Sequence, residues 1–205
     1  EEIFALINKK EINMFQELQL KIKELNKKTN LTRLIDGDDY WVSQVFDSIW
    51  PFKTFPNINF DNKKFLDIGS GCGFPGLAYA ITHPISEIYL IDSSKKKTDA
   101  LKSIIKEMNF QNTIHIINDR IENFAHKSLM RNNFNIVTTR AVSNPSTVAE
   151  YILPMLKKEG IGVLYCGKWS AEDRKNLDKT LEILEGKFKE KKMILLPRSK
   201  GTRNI

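Results

Sequence analysis

Residues 65 to 76 read Phe65-Leu66-Asp67-Ile68-Gly69-Ser70-Gly71-Cys72-Gly73-Phe74-Pro75-Gly76, an apolar run that meets an acid and opens into three glycines spaced by twos. Glycine tolerates the backbone of a tight turn and puts no Cβ between the amides and a ligand, while Pro75 is pre-set for the first turn of a helix. A nucleoside-bearing ligand suits such a turn, although a glycine pattern alone is a weak signal because plain turns are also rich in Gly. The next apolar run, Ile88-Tyr89-Leu90-Ile91, ends in Asp92, 23 residues beyond Gly69. That is the place from which a carboxylate accepts hydrogen bonds from ribose hydroxyls. Asp92 could instead only cap the helix that follows. Strand, turn and acid agree, which favours the ribose.

Two ligand classes share this arrangement, dinucleotides and S-adenosylmethionine (SAM). Dinucleotide sites use G-x-G-x-x-G with the pyrophosphate at a helix N-terminus. Here the order is Asp67-x-Gly69-x-Gly71-x-Gly73. This resembles the first motif of class I SAM-dependent methyltransferases, in which the acid helps to hold the methionine part. The resemblance implies that Asp67, Gly69, Ser70, Gly71, Gly73, Phe74 and Asp92 bind SAM. It also implies an adenine seat at Arg120, Ile121 and Glu122, which follow the third strand, with Ile121 on the base. The plain alternative there is an exposed turn capped by Asp119.

The acceptor is read from Thr138-Thr139-Arg140-Ala141, at the carboxyl edge of the fourth strand. Neither the Asn/Asp-Pro-Pro-aromatic motif of amine-methylating enzymes nor a Pro-Cys nucleophile is present, and Cys166 has no partnered base. Guanine N7 needs no base, because it already exposes a lone pair, so positioning would carry the catalysis. Arg140 is the candidate ligand for guanine O6 or a phosphate, since a guanidinium is not a base at neutral pH, and a surface ion pair is its bland alternative. Lys168 could grip a phosphate while Trp169 stacks on a base, or both could lie in a solvated loop.

Asn30-Leu31-Thr32, Asp47-Ser48, the run from Asp67 to Gly76, Asp92-Ser93, Arg120 to Phe124, Thr139-Arg140-Ala141 and Lys168 together resemble the GidB/RsmG family over nearly the whole chain. Those proteins are bacterial 16S ribosomal RNA methyltransferases that use SAM to modify guanine N7. The resemblance implies SAM as cofactor and 16S ribosomal RNA or the small ribosomal subunit as partner. Cofactor contacts would fall on the glycine turn, Asp92, residues 120–122 and Arg140, with substrate positioning by Arg140 and Lys168. One departure stands out: the family has Arg-His shortly before its Asp-Ser pair, whereas this chain has Ser43-Gln44. Two other function classes fit less well, a nicotinamide-dependent oxidoreductase and a non-catalytic RNA-binding module.

The elements that must position these residues follow from periodicity. Ile3 to Lys28 carries Phe15, Leu18, Ile22 and Leu25 at helical spacing, and a second helix from Asp38 to Ile49 is expected to stop at Pro51, with a loop over 51–62. Beyond residue 62, strands are predicted near 64–68, 87–91, 113–117, 134–139, 160–166 and 191–196. Helices are predicted over Pro75–Ile81, Lys95–Asn109, Pro145–Lys157 and Ala171–Gly186. The alternation is that of a mostly parallel Rossmann-like α/β sheet over 63–205, with a helical extension over 1–62. The last residues read as the start of another strand cut short.

With 205 residues the chain suits one α/β domain. Lys plus Arg is 32 and Asp plus Glu is 25, so 32 − 25 leaves +7, an excess that suits a polyanion. No apolar stretch approaches the roughly 20 residues of a bilayer span. With no secretory signal in view and two cysteines without ligand spacing, a cytoplasmic, single-copy protein with reduced thiols and no metal or membrane partner is expected.

Overall fold

The computed structural model describes residues 3–55, 57–140 and 144–205. Five strands form a parallel sheet: β1 (Lys64–Ile68), β2 (Glu87–Asp92), β3 (Thr113–Asn118), β4 (Phe134–Arg140) and β5 (Leu156–Tyr165), in the order β3-β2-β1-β4-β5. The chain lays down β1, β2 and β3 outward in one direction, then crosses back to place β4 on the other side of β1. That reversal opens a crevice at the carboxyl ends of β1 and β4, the usual ligand position in a doubly wound sheet. Register pairs Ile68 with Ile91 on one side and with Thr139 on the other. The residues that step off these strands, Gly69, Asp92 and Arg140, therefore emerge beside one another.

Helices cover both faces. On one, α4 (Gly76–Thr82) and α5 (Lys95–Glu107) pack with the N-terminal α1 (Lys9–Thr29) in a core shared by Phe15, Leu18, Ile22, Phe65, Leu77, Ile88, Leu90 and Leu101. On the other, α6 (Ile121–Ala125) and α7 (Pro145–Ile152) bury Phe124, Val148 and Ile152 against Leu66, Ile68, Ile91 and Val137. Alternate β1 residues thus feed opposite cores, as the period-2 pleat requires. Helix α1 begins with a capping box between Asn8 and Glu11 and ends at Asn30 in the left-handed conformation, so its apolar stripe is placed by signals local to it.

Two sequence expectations need correction. The helix expected to stop at Pro51 continues: α2 (Gly37–Tyr40) runs into a π-helical turn at Trp41–Phe46 and then α3 (Asp47–Thr54), which contains Pro51. An interior proline costs about 3 kcal/mol, but burying an aromatic side chain returns roughly 1.5–3 kcal/mol each, and Trp50 and Phe52 are both buried here. The helix expected over Pro145–Lys157 ends at Ile152, and a 3-10 turn at Leu153–Met155 leads into β5 from Leu156. Pro154 lacks the N–H that would continue the helix.

Helix α8 (Ala171–Ile183) packs beside α7 and starts at a second capping box, Ser170 with Asp173. The end of the chain forms an antiparallel hairpin, β6 (Met193–Leu195) with β7 (Thr202–Asn204). Asn204 pairs antiparallel with Cys166 beyond β5, through mutual backbone bonds of 2.8 and 2.7 Å, so the hairpin extends the main sheet at that edge.

Candidate active site

The glycine turn is anchored to the neighbouring strand. The amides of Gly69 and Ser70 both donate to the Ile91 carbonyl, at 2.9 and 3.1 Å, and Gly73 donates to the Ser70 carbonyl at 2.7 Å. Gly69, Gly71 and Gly73 have φ of 73°, 57° and 104°, which a side chain would strain. Their surroundings differ. A Cβ at Gly73 would lie 2.5 Å from Leu77, whereas at Gly71 the nearest atom is the Gly69 carbonyl oxygen at 3.8 Å. Gly71 therefore borders the open side of the turn, and Gly73 is small so that the turn can pack on α4.

The two acids have opposite surroundings. Asp67 is fully buried: its Oδ1 accepts from the Thr138 hydroxyl and its Oδ2 from the Gly76 amide, each at 2.9 Å. Burial pushes its carboxyl up to about 7, against those two hydrogen bonds. Asp67 thus ties the turn to β4 and α4 from the inside. Asp92 lies at the edge, with Oδ2 accepting from the Gly71 amide at 2.9 Å and Oδ1 from the Ser94 amide at 2.8 Å. Asn118, at the head of the segment expected to seat the adenine, donates to the backbone carbonyls of Asp92 and Ser93, both at 3.1 Å, and so fixes the end of β2.

The remaining cofactor candidates are dispersed by role. Ser70 donates to the Asp67 carbonyl at 2.9 Å and is buried. Phe74 is buried edge-on to Tyr40, inside the core beneath the turn. Ile121 is buried with Ile68 and Ile91, whereas Arg120 is exposed and pairs with Glu122 at 3.6 Å. Glu122 also accepts from the Tyr151 hydroxyl at 3.1 Å.

Arg140 is held from several sides. Its Nη1 donates to the Ser43 carbonyl at 3.0 Å and to Asp47 Oδ2 at 3.3 Å, and its Nη2 donates to Gln44 Oε1. Asp47 is wholly buried and is gripped at both oxygens, at 2.7 Å each, by Nε and Nη2 of Arg203 from β7. Buried carboxylates persist only when paired, and this one sits between two guanidiniums. The surface ion pair considered for Arg140 is thus a largely buried cluster of +1 net charge. The π-helical turn places Gln44 and Asp47 on the side facing β4. Sequence reasoning gave Arg203 no role; Gln44 entered only as half of the Ser43-Gln44 departure from the family's Arg-His, and the Asp47-Ser48 pair only through the family resemblance.

Lys168 is exposed just past β5. Trp169 beside it packs near Phe188, with Lys191 Nζ 5.5 Å from its ring centre, and Arg174 lies 3.7 Å over Phe188. Burial pushes the thiols of Cys72 and Cys166 up, the latter to about 11, so neither is a thiolate nucleophile near neutrality. Among the described residues no helix is long and apolar enough to cross a membrane.

A family model described as rRNA small subunit methyltransferase G matches residues 11–200. A Ribosomal RNA small subunit methyltransferase G of Prochlorococcus marinus strain MIT 9312 is 85% identical over 204 residues, covering 100% of this chain and 86% of that protein. In fold the chain is similar to a putative O-methyltransferase from Klebsiella pneumoniae, with a TM-score of 0.58 at 10% identity over 91% of this chain and 86% of that one. It is also similar to Aeropyrum pernix fibrillarin, solved with natively bound S-adenosyl-L-methionine, with a TM-score of 0.54 at 15% identity over 70% of this chain and 65% of that one. At 10% and 15% identity the two structural likenesses bear on the fold alone. The match from residue 11 to residue 200 and the 85% identity take in both sides of the crevice, and this chain belongs to the GidB family of rRNA small subunit methyltransferases.

Proposed function

We propose that this chain transfers the methyl group of SAM to N7 of a guanine in 16S ribosomal RNA of the small subunit. The observation that carries the reading is the join of turn and acid: the Gly71 amide, open on its outer side, bonds to Asp92 at 2.9 Å beside the Arg140 cluster. The residues fit the donor. Gly71 leaves a cradle that a Cβ would narrow, and Asp92 can turn its oxygens from backbone amides to ribose hydroxyls. Asp67, closed in by Thr138 and Gly76, shapes the turn and does not need to touch the ligand. When bound, SAM supplies an electrophilic methyl group on a sulfonium.

On the acceptor side the chain positions and does not deprotonate. Guanine N7 brings its own lone pair; the N7–carbon bond forms as the sulfur–carbon bond breaks, the electron pair stays on sulfur as a thioether, and the positive charge moves to the purine. No proton is lost, so the transfer needs no base, and Arg140, which shares the buried Asp47 carboxylate with Arg203, serves by position alone. Arg140 would orient guanine O6 or an adjoining phosphate, and Lys168 at the neighbouring strand end would hold RNA backbone. The helices before residue 63 act as an extension that braces Arg140, and one copy of the chain forms the whole site.

Incubation with labelled SAM and small subunits isolated without the modification tests this. Label in 16S RNA, released as 7-methylguanine by mild acid depurination, is the expected result. Transfer to no RNA, or to another base atom, would overturn it.

A further inference from the structure

We propose that Gln44 is a positioning residue for methyl transfer, holding the Arg140 guanidinium in register with the glycine turn; this rests on the function proposed above. Gln44 is 2% exposed, and its carboxamide spans the gap between the two halves of the site. Its Oε1 accepts from Arg140 Nη2, while its Nε2 donates to Thr32 Oγ1 at 3.2 Å and to Cys72 Sγ at 3.4 Å. Cys72 lies within the glycine turn, between Gly71 and Gly73. One neutral side chain therefore touches the turn proposed to carry the donor and the arginine proposed to orient the acceptor.

The chemistry of an amide matters at this point. Arg140 already shares the Asp47 carboxylate with Arg203, leaving one net positive charge in the cluster. What Arg140 Nη2 uses at this position is an acceptor oxygen, which a carboxamide or a carboxylate supplies and an apolar side chain does not. A carboxamide offers Arg140 an acceptor and Cys72 a donor with no change in charge. The other Arg140 contacts, to the Ser43 carbonyl, Asp47 and the Ser48 hydroxyl, are all on Nη1, so Gln44 supplies the bond on Nη2 and with it fixes the plane of the fork. Backbone and Asp47 keep Arg140 in place; Gln44 sets its orientation.

The test measures transfer to unmodified small subunits, S-adenosylhomocysteine affinity by calorimetry, and thermal unfolding for Gln44→Met and Gln44→Glu. Met matches the length of Gln but offers Arg140 only a weakly accepting thioether, whereas Glu keeps an acceptor oxygen. Gln44→Met is expected to lower kcat roughly ten- to a hundredfold, the worth of a hydrogen bond to a charged group, with S-adenosylhomocysteine affinity changed less than about threefold. Gln44→Glu is expected to recover most of that kcat. Should Gln44→Met not fold, Gln44→Ala, which adds no bulk, takes its place. Unchanged kcat in the apolar variant, equal losses in the Met and Glu variants, or a loss explained by weakened cofactor binding each overturns the role. If wild-type protein transfers methyl to no subunit RNA, the functional reading fails and this inference falls with it; if wild type transfers and only the variants disagree, Gln44 alone is at fault.

Discussion

The two sides of the crevice are built by different means. On the donor side, a strand, a glycine turn and the next strand's acid lie within 28 residues, Phe65 to Asp92, and backbone amides supply most of the contacts. On the acceptor side, Arg140 is fixed by residues 92 to 97 positions earlier, and Asp47 is fixed by Arg203, 156 positions later. A site made of local backbone can be read from residue spacing. A site made of side chains that meet only after the sheet and its helical cover have assembled cannot.

The first way to break this contrast is Arg140→Ala. Loss of transfer by roughly a hundredfold or more is expected, the scale of a misplaced reactant, with S-adenosylhomocysteine affinity nearly unchanged in calorimetry. Equal losses in binding and turnover would mean that the two sides are one. The reciprocal change, Asp92→Ala, should weaken cofactor affinity roughly ten- to a hundredfold through loss of charge-assisted hydrogen bonds, and saturating SAM should restore much of the turnover. A kcat defect that saturation does not repair would move Asp92 into the transfer step.

Smaller effects sharpen the donor side. A Cβ at Gly76 would stand 2.2 Å from Leu90 and 2.9 Å from Asp67 Oδ2, so Gly76→Ala should cost about 1–3 kcal/mol in denaturant unfolding, whereas Gly71→Ala should weaken cofactor binding more than stability. A pH-dependent signal comes from Asp67. Its carboxyl titrates at about 7 folded against an ordinary 3.8, so between those values the native chain keeps a proton that the unfolded chain has lost. Its contribution is full below 3.8 and fades as pH rises to 7. The slope of unfolding free energy attributable to it is at most about 1.4 kcal/mol per pH unit, and Asp67→Asn should flatten that window.

What was legible follows the same division. The five parallel strands were found from apolar runs, and the turn from its glycines, because each depends on neighbours in sequence. The inward aim of Asp67 was not visible: a D-x-G-x-G motif looks the same whether the acid faces ligand or core, and only the register of β1 with β4 brings Thr138 to it. The passage of a helix through Pro51 was hidden because burial of Trp50 and Phe52 by distant elements outweighs a local cost. Gln44 stood out only as a departure from the family's Arg-His, and its bonds to Arg140 and Cys72 depend on elements that meet after folding.

The grip of Arg203 on Asp47 also orders events during synthesis. The carboxylate leaves the ribosome long before its bidentate partner, with the whole sheet translated in between. A nascent chain can therefore close the glycine turn early, whereas Asp47 has only the partial pairing of Arg140 until Arg203 emerges.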